Sequence, residues 1–141
     1  MNTQCKVSVI MPAFNSESFI DQAISSVLKQ THADLEILVI NDCSTDKTLE
    51  IISRFNDERL KLFDLNKNHG VAHARNIGLE NANGDFIAFC DSDDYWEPSK
   101  IEKQLLVMDK QKKLISHANA LVVNSDGKIT GSRKFKKIIN Q

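Results

Sequence analysis

The chain of 141 residues is poor in cysteine, carries almost no net charge and has no long apolar run. Its three cysteines form no CxxC motif and lack the density of a secreted disulfide scaffold, which indicates a reducing compartment. A net charge of −1 excludes a strong field that would draw the whole molecule to nucleic acid. No apolar run approaches the ~20 residues of a membrane helix, and Met1 to Lys6 shows no signal-peptide core. These absences favour one cytoplasmic domain.

Positive charge concentrates only near the C-terminus, in Arg133-Lys134-Phe135-Lys136-Lys137. We interpret this cluster as a solvated chain end. The alternative is a weak peripheral contact with anionic lipid headgroups at the inner face of a membrane.

Short apolar runs alternate with helical patterns along the chain. Strands are predicted at 6–11, 35–40, 60–65 and 86–90, with helices between them. This alternation is typical of an α/β fold with a mostly parallel sheet and helices on both faces. Right-handed crossovers then bring the loops that follow the strands to one edge of the sheet, where ligands bind at a switch point.

Local signals also predict how the elements end. Ser16 is placed to cap the first helix, and Ser44 or Thr45 the second. Asn83-Gly84 predicts the C-cap of the third helix. Strand-forming residues on either side of Ser125-Asp126-Gly127 predict a hairpin.

Three of the loops that follow strands are strongly polar. They are 12–17, 41–46 and 91–94, and each comes directly after an apolar strand. In Asp91-Ser92-Asp93-Asp94, three carboxylates within four residues repel one another unless a cation screens them. Carboxylate oxygens suit Mg²⁺ or Mn²⁺ shared with substrate phosphates. The alternative is a solvated acidic turn, but the position at a strand end favours a metal.

Single residues in this predicted cleft have two interpretations each. Asp42 is placed to accept a hydrogen bond from the imide N–H of uracil or thymine, or else to form an Asx turn or helix cap. Phe14 could stack on a base or ribose, or pack beneath its own loop. Arg75, close to a helix start, could bind phosphate, or pair with a nearby carboxylate.

Two further groups resemble reactive sites but lack partners. His69 and His73 have the spacing of a zinc helix, but no third ligand is evident, so we interpret both as structural or solvent-facing. Cys43 and Cys90 have no paired histidine at a recognisable spacing, which favours inert thiols.

Four segments together resemble family 2 glycosyltransferases of the GT-A fold, in both order and spacing. They are Val7 to Asn15, Asn41 to Thr48, Asn68 to Asn76, and Asp91 to Asp94. The resemblance extends from about Val7 to the hairpin near Gly131. It implies a nucleotide-diphospho-sugar transferase fold and an inverting transferase. The implied donor is a nucleoside-diphosphate sugar, with a UDP-sugar favoured, and the implied product is a surface glycan on a glycan or lipid-linked acceptor.

The resemblance also implies roles for single residues. Asp42 would bind the uracil ring, Asp91 would face the ribose, and Arg75 would lie near the nucleotide. Asp93 would be the direct ligand of Mn²⁺ or Mg²⁺ bridging the diphosphate, with Asp91 beside it. The remaining members of the implied nucleotide-sugar site are Pro12, Ala13, Phe14, Asn15, Glu17 and Ser92.

The chain departs from the family pattern in two ways. Cys43 stands where the family often has glycine, so the turn must tolerate a side chain. The family's catalytic base, an acidic residue on an acceptor-binding segment, has no counterpart up to Gln141. We therefore expect residues 1–141 to be a donor domain truncated before that segment, which binds UDP with metal, transfers no sugar, and self-associates through exposed apolar surface.

Other functional classes match less well. A nucleotide-binding module without catalysis differs only by the missing base. A phospho-acceptor receiver domain needs an acidic pair directly after the first strand, where this chain has Pro12 to Asn15. A dinucleotide dehydrogenase needs GxGxxG at the same place, and that motif is absent from the sequence.

Overall fold

The structure is a computed structural model that describes residues 5–134. The chain forms two compact units, 1–100 and 101–141. The first unit contains four strands and three helices: β1 (Val7–Ala13), α1 (Ile20–Leu28), β2 (Leu35–Asn41), α2 (Thr48–Ile52), β3 (Leu60–Asp64), α3 (Val71–Asn81) and β4 (Phe86–Phe89). Helix α4 (Lys100–Gln111) begins at the boundary. Strands β5 (Ala120–Val123) and β6 (Ile129–Arg133) follow it as an antiparallel pair, which confirms the predicted hairpin.

The four strands of the first unit form a parallel sheet in the order β3-β2-β1-β4. The chain moves outward from β1 to β3 and then crosses back to β4 on the other side of β1. Right-handed connections therefore place α1 and α2 on one face and α3 on the other. This arrangement confirms the predicted α/β fold, and the direction of winding reverses between β1 and β4, which defines a switch point.

The core lies where the two central strands are covered on both faces. Every residue of β1 and β2 is buried, as the continuous apolar runs of a parallel sheet require. On the α3 face, Ala74 packs with Ile10, Leu38 and Ile40. Helix α1 buries Ile20, Ala23, Ile24 and Val27, whose spacing forms a single helical stripe.

Strand β1 continues through Pro12, beyond its predicted end. The carbonyl of Ile10 accepts from the N–H of Cys90 at 3.1 Å on the β4 side, and that of Ala13 accepts from the N–H of Asp42 at 2.8 Å on the β2 side. Backbone groups of alternate residues point to alternate sides, so the N–H that Pro12 lacks would point towards β4. Pairing between β1 and β4 ends at Ile10, so that hydrogen bond is not needed.

The predicted helix caps are wrong. No side chain caps α1, which has Phe19 at its N-cap, because the hydroxyl of Ser16 bonds to the carbonyl of Phe14 in its own loop and to Ser92 in the acidic turn. At the start of α2, the N–H of Thr48 donates to a carboxylate oxygen of Asp46 at 2.9 Å, and neither residue predicted for that role caps the helix. A carboxylate is the stronger acceptor for a helix N-terminus.

Gly84 has a different role from the predicted C-cap. Helix α3 ends at Asn81, and its C-cap Ala82 has extended backbone angles. A Cβ on Gly84 would lie 2.6 Å from the backbone nitrogen of Ser8 and 2.8 Å from the carbonyl oxygen of Lys6. Only glycine permits this close approach to β1.

A buried carboxylate ties the strands together near their amino ends. Glu36 is 2% exposed; it accepts from Ser8 Oγ at 2.7 Å and the Asn83 N–H at 2.8 Å, and from Lys61 Nζ at 2.8 Å. Lys6 Nζ lies 3.3 Å away. Burial alone would raise the pKa of Glu36, but these donors outweigh it and lower the pKa to about 2.

Glu36 should therefore make the free energy of unfolding depend on pH in the acid range. Its pKa is lower in the folded chain than its ordinary value of 4.5, so the stabilisation is present above that value and is lost as the pH falls towards about 2. We expect a loss of about 3 kcal/mol in the free energy of unfolding across this range. Urea unfolding at a series of pH values measures it. Glu36→Gln should flatten the profile, whereas Glu50→Gln, an exposed ion-paired control, should not. Equal slopes in Glu36→Gln and the unmutated chain would contradict the assignment.

Candidate functional site

A cavity of about 490 Å³ opens at the carboxyl edge of the parallel sheet. The loops after all four strands contribute to it. Asn68, Gly70, Val71 and Ala74 line it although the sequence had indicated no role for these four individually. The residues predicted for the site that do line it are Pro12, Ala13, Phe14, Asp42, Arg75, Asp91, Ser92 and Asp93.

Two residues predicted to bind the nucleotide instead join neighbouring loops. The side-chain oxygen of Asn15 accepts from the N–H of Thr45 at 2.8 Å, and Glu17 Oε2 accepts from the N–H of Lys47 at 2.9 Å. In return, the N–H of Glu17 donates to Asp46 Oδ2 at 3.1 Å. Asn15 has φ 47°, a left-handed conformation that asparagine tolerates. These contacts hold the loop after β1 against the loop after β2, and neither Asn15 nor Glu17 lines the cavity.

Asp42 lies 3% exposed at the base of the cavity and binds the start of α3. Its Oδ1 accepts from the N–H of His69 at 2.9 Å and its Oδ2 from the N–H of Gly70 at 2.7 Å. Gly70, with φ 87°, is the N-cap of α3 and takes a backbone conformation that glycine adopts without strain. The carboxylate thus fixes the turn that leads into α3 to the end of β2. Each oxygen retains a further lone pair for a ligand.

Arg75 and Asp91 form an ion pair at the cavity wall. Arg75 Nη2 donates to Asp91 Oδ1 at 2.7 Å, and the guanidinium carbon lies 5.7 Å from the ring centroid of Phe89. Of the two interpretations of Arg75, pairing with a carboxylate is the one that the structure contains. Its Nε is buried and has no hydrogen-bond partner within residues 5–134. A buried donor of this kind is satisfied by water or by a ligand oxygen.

The acidic turn offers few metal ligands. Within the described part of the chain, no three His, Cys, Asp or Glu side chains come together as a metal site. Asp93 is exposed at the cavity, and Asp91 Oδ1 is engaged with Arg75. One or two carboxylates with phosphate oxygens and water are the usual ligand set of Mg²⁺. The residues therefore fit a divalent ion shared with a bound diphosphate, and they do not fit an ion held by protein alone.

Cys90, near the cavity, is chemically quiet. Burial, with nearby Asp94, raises the pKa of its thiol to about 12, so it carries no thiolate at neutral pH. Cys43 has φ 60°, a left-handed backbone conformation that favours glycine. The turn therefore does tolerate a side chain. His69 and His73 are both exposed, with ring centroids 4.6 Å apart.

Comparison with known proteins agrees with this geometry. Residues 8–140 match the family model described as glycosyl transferase family 2. The chain belongs to this family. Among its relatives is the Escherichia coli UDP-Glc:alpha-D-GlcNAc-diphosphoundecaprenol beta-1,3-glucosyltransferase WfgD, 43% identical over 132 residues, which cover 92% of this chain and 52% of the relative. This family 2 chain spans about half the length of such curated relatives.

Two solved structures have the same fold. One is Staphylococcus aureus TarS, residues 1–349, in complex with UDP. It is 37% identical with a TM-score of 0.70, over 76% of this chain and 33% of that one. The other is the mannosyltransferase PcManGT of Pyrobaculum calidifontis, in complex with GDP-Man and Mn²⁺. It is 26% identical with a TM-score of 0.66, over 85% of this chain and 36% of that one. Membership of family 2 and the GT-A fold are thereby confirmed, and the receiver-domain alternative is excluded.

Proposed function

We propose that this chain is the donor-binding part of an inverting glycosyltransferase that binds a nucleoside-diphosphate sugar, preferably a UDP-sugar, together with Mn²⁺ or Mg²⁺. The observation that carries the proposal is the cavity at the switch point, where Asp42 and Asp93 from two loops converge with Arg75 from helix α3. Complexes of TarS with UDP, and of PcManGT with GDP-Man and Mn²⁺, support it.

Different lining residues of the cavity suit different parts of a nucleotide. Asp42, buried and acceptor-only, suits the imide N–H of uracil, and the half-exposed ring of Phe14 offers a stacking surface for the base or ribose. Pro12 and Ala13 contribute the wall beside them. At the acidic turn, Asp91 is assigned to the ribose and Asp93 to the metal.

The charge of a diphosphate needs compensation in this site. A bound divalent ion would neutralise charge that develops on the leaving diphosphate. Arg75 would add a fixed positive charge, and its unsatisfied Nε–H would donate a hydrogen bond to a phosphate oxygen. We assign the catalytic base to none of the cavity carboxylates, because Asp42, Asp91 and Asp93 would each bind the nucleotide or its metal.

The acceptor is proposed to be a glycan or a lipid-linked sugar of surface-glycan synthesis. The name of the relative WfgD specifies a diphosphoundecaprenol acceptor. Work on such a lipid would bring the protein to the inner face of the membrane. No helix within the described residues has the length and apolar character to cross a bilayer. Most of the basic cluster that begins at Arg133 lies outside the described residues.

Calorimetric titration of UDP tests the proposal. With Mn²⁺ present, we expect the affinity for UDP to exceed that in EDTA by about 100-fold, because the metal joins the acidic turn to the diphosphate. UMP is the matched control ligand; it lacks the second phosphate, so Mn²⁺ should raise its affinity far less. Equal affinity for UDP in EDTA would exclude the metal role, and no binding of UDP under either condition would exclude the function itself.

A further inference from the structure

Ser16 connects three loops around the cavity. It is only 7% exposed, although it is polar and lies in a loop. Its N–H donates to Thr48 Oγ1 at 2.7 Å, which ties it to the start of α2. Its Oγ lies 2.6 Å from Ser92 Oγ, which ties it to the acidic turn 76 residues away.

The hydroxyl of Ser16 lies within hydrogen-bond distance of two oxygens. One is the carbonyl oxygen of Phe14 at 3.2 Å, and the other is Ser92 Oγ, where either hydroxyl could be the donor. A hydroxyl has one proton, so both contacts are satisfied together when Ser92 donates to Ser16 and Ser16 donates to Phe14. The hydrogen bonds then run in one direction from Ser92 through Ser16 to the backbone of the loop after β1. Bonds in such a chain polarise and strengthen one another.

The backbone of Ser16 and the turn that holds Ser92 are both fixed by further hydrogen bonds. Thr48, which accepts from Ser16, is fully buried, and its own N–H is held by Asp46 at 2.9 Å. Ser92 stands between Asp91 and Asp93, and the turn is closed by the N–H of Asp94, which donates to the carbonyl of Asp91 at 3.0 Å. A displacement of Ser92 would therefore move both carboxylates of the turn together.

We propose that Ser16 is a positioning residue, which sets the position of the acidic turn 91–94 and thereby its affinity for a metal-bridged diphosphate. This inference rests on the proposed function and extends it to a residue outside the cavity lining. Ser16 acts through Ser92 and touches neither metal nor nucleotide. Its contribution should appear in metal affinity, whereas binding of the nucleotide without metal should not depend on it.

The test measures Mn²⁺ binding in the presence of UDP by electron paramagnetic resonance, and UDP binding in EDTA by calorimetry. In Ser16→Ala we expect the affinity for Mn²⁺ to fall by about 10-fold, the lower end of what residues behind metal ligands contribute. UDP affinity in EDTA should change by less than about 2-fold. Ser92→Ala cuts the same bond, so the double variant should lose no more than Ser92→Ala alone. Ser16→Thr keeps the hydroxyl and should keep the Mn²⁺ affinity.

Ser26→Ala is the matched control. Ser26 also joins distant segments, since its Oγ in helix α1 accepts from the N–H of Trp96 at 3.0 Å, but it lies outside the cavity lining. It should lower stability without changing Mn²⁺ affinity. Unchanged Mn²⁺ affinity in Ser16→Ala, or an equal loss in Ser26→Ala, overturns the inference while leaving the proposed function intact. An unmutated chain without Mn²⁺-dependent UDP binding overturns both. If Ser16→Ala does not fold, Ser16→Cys decides in its place, because a thiol is only a weak hydrogen-bond donor and acceptor.

Discussion

Replacing Asp93 by asparagine should remove the Mn²⁺-dependent part of UDP binding, lowering affinity in Mn²⁺ by about 100-fold, or about 3 kcal/mol. The neutral amide is a weak ligand for a hard cation. The neighbouring carboxylate cannot substitute fully, because Asp91 Oδ1 is paired with Arg75 at 2.7 Å. Calorimetry with Mn²⁺ and with EDTA measures the change. In EDTA, Asp93→Asn and the unmutated chain should bind UDP alike.

Asp94→Asn provides the control for that result. It makes the same chemical change one residue further along, at a carboxylate that does not line the cavity. We expect it to keep the Mn²⁺ dependence of UDP binding. Persistence of the metal effect in Asp93→Asn, or its loss in Asp94→Asn, would show that Asp93 is not the ligand.

Replacing Asp42 by alanine should cost about 4 kcal/mol of folding stability, since hydrogen bonds to a charged group contribute ~1.5–3 kcal/mol each. Two such bonds would be lost, from the N–H groups of His69 and Gly70. Urea unfolding measures the loss. Asp42→Asn keeps one acceptor oxygen, so its free energy of unfolding should lie between those of Asp42→Ala and the unmutated chain. A cost below about 1 kcal/mol in Asp42→Ala would contradict this role in holding the turn before α3, since an ordinary neutral hydrogen bond contributes as much.

The same residue should decide which base is bound. Under the proposed function, uracil and thymine would present an N–H to the carboxylate of Asp42, whereas cytosine would present an acceptor there and leave both groups unsatisfied. UDP or dTDP should therefore bind better than CDP by roughly 1–3 kcal/mol, and Asp42→Ala should flatten that preference. Competition binding of the three nucleotides measures it. CDP or GDP binding best in the unmutated protein would exclude Asp42 as the base reader.

The framework of this site can be predicted from sequence because its signals are local. Apolar β-branched runs identify β1 and β2, and the polar residues that follow them, such as Asp42, must lie at one edge if the sheet is parallel. Asp93 reaches that edge in the same way, directly after β4. Eight of the ten residues predicted for nucleotide or metal line the cavity for this reason.

The contacts that hold the loops could not be predicted in the same way. Asn15, Ser16 and Glu17 are small or flexible polar residues near a helix start, where local capping is the usual expectation. Their actual partners lie 29 to 76 residues away and become neighbours only when β1, β2 and β4 are adjacent. Gly84 shows the same limit. A glycine that follows a helix in the sequence can end the helix or allow close contact with a neighbouring strand, and the sequence does not distinguish the two.

The contacts that join the loops after β1 and β2 also affect the thermodynamics of ligand binding. Fixing the backbone of one residue costs about 1–2 kcal/mol in conformational entropy. The side chains of Asn15 and Glu17 hold the N–H groups of Thr45 and Lys47 through contacts within the protein, so this cost is met when the chain folds. A nucleotide entering the cavity then meets loops that are already ordered, and more of its contact energy is available as affinity.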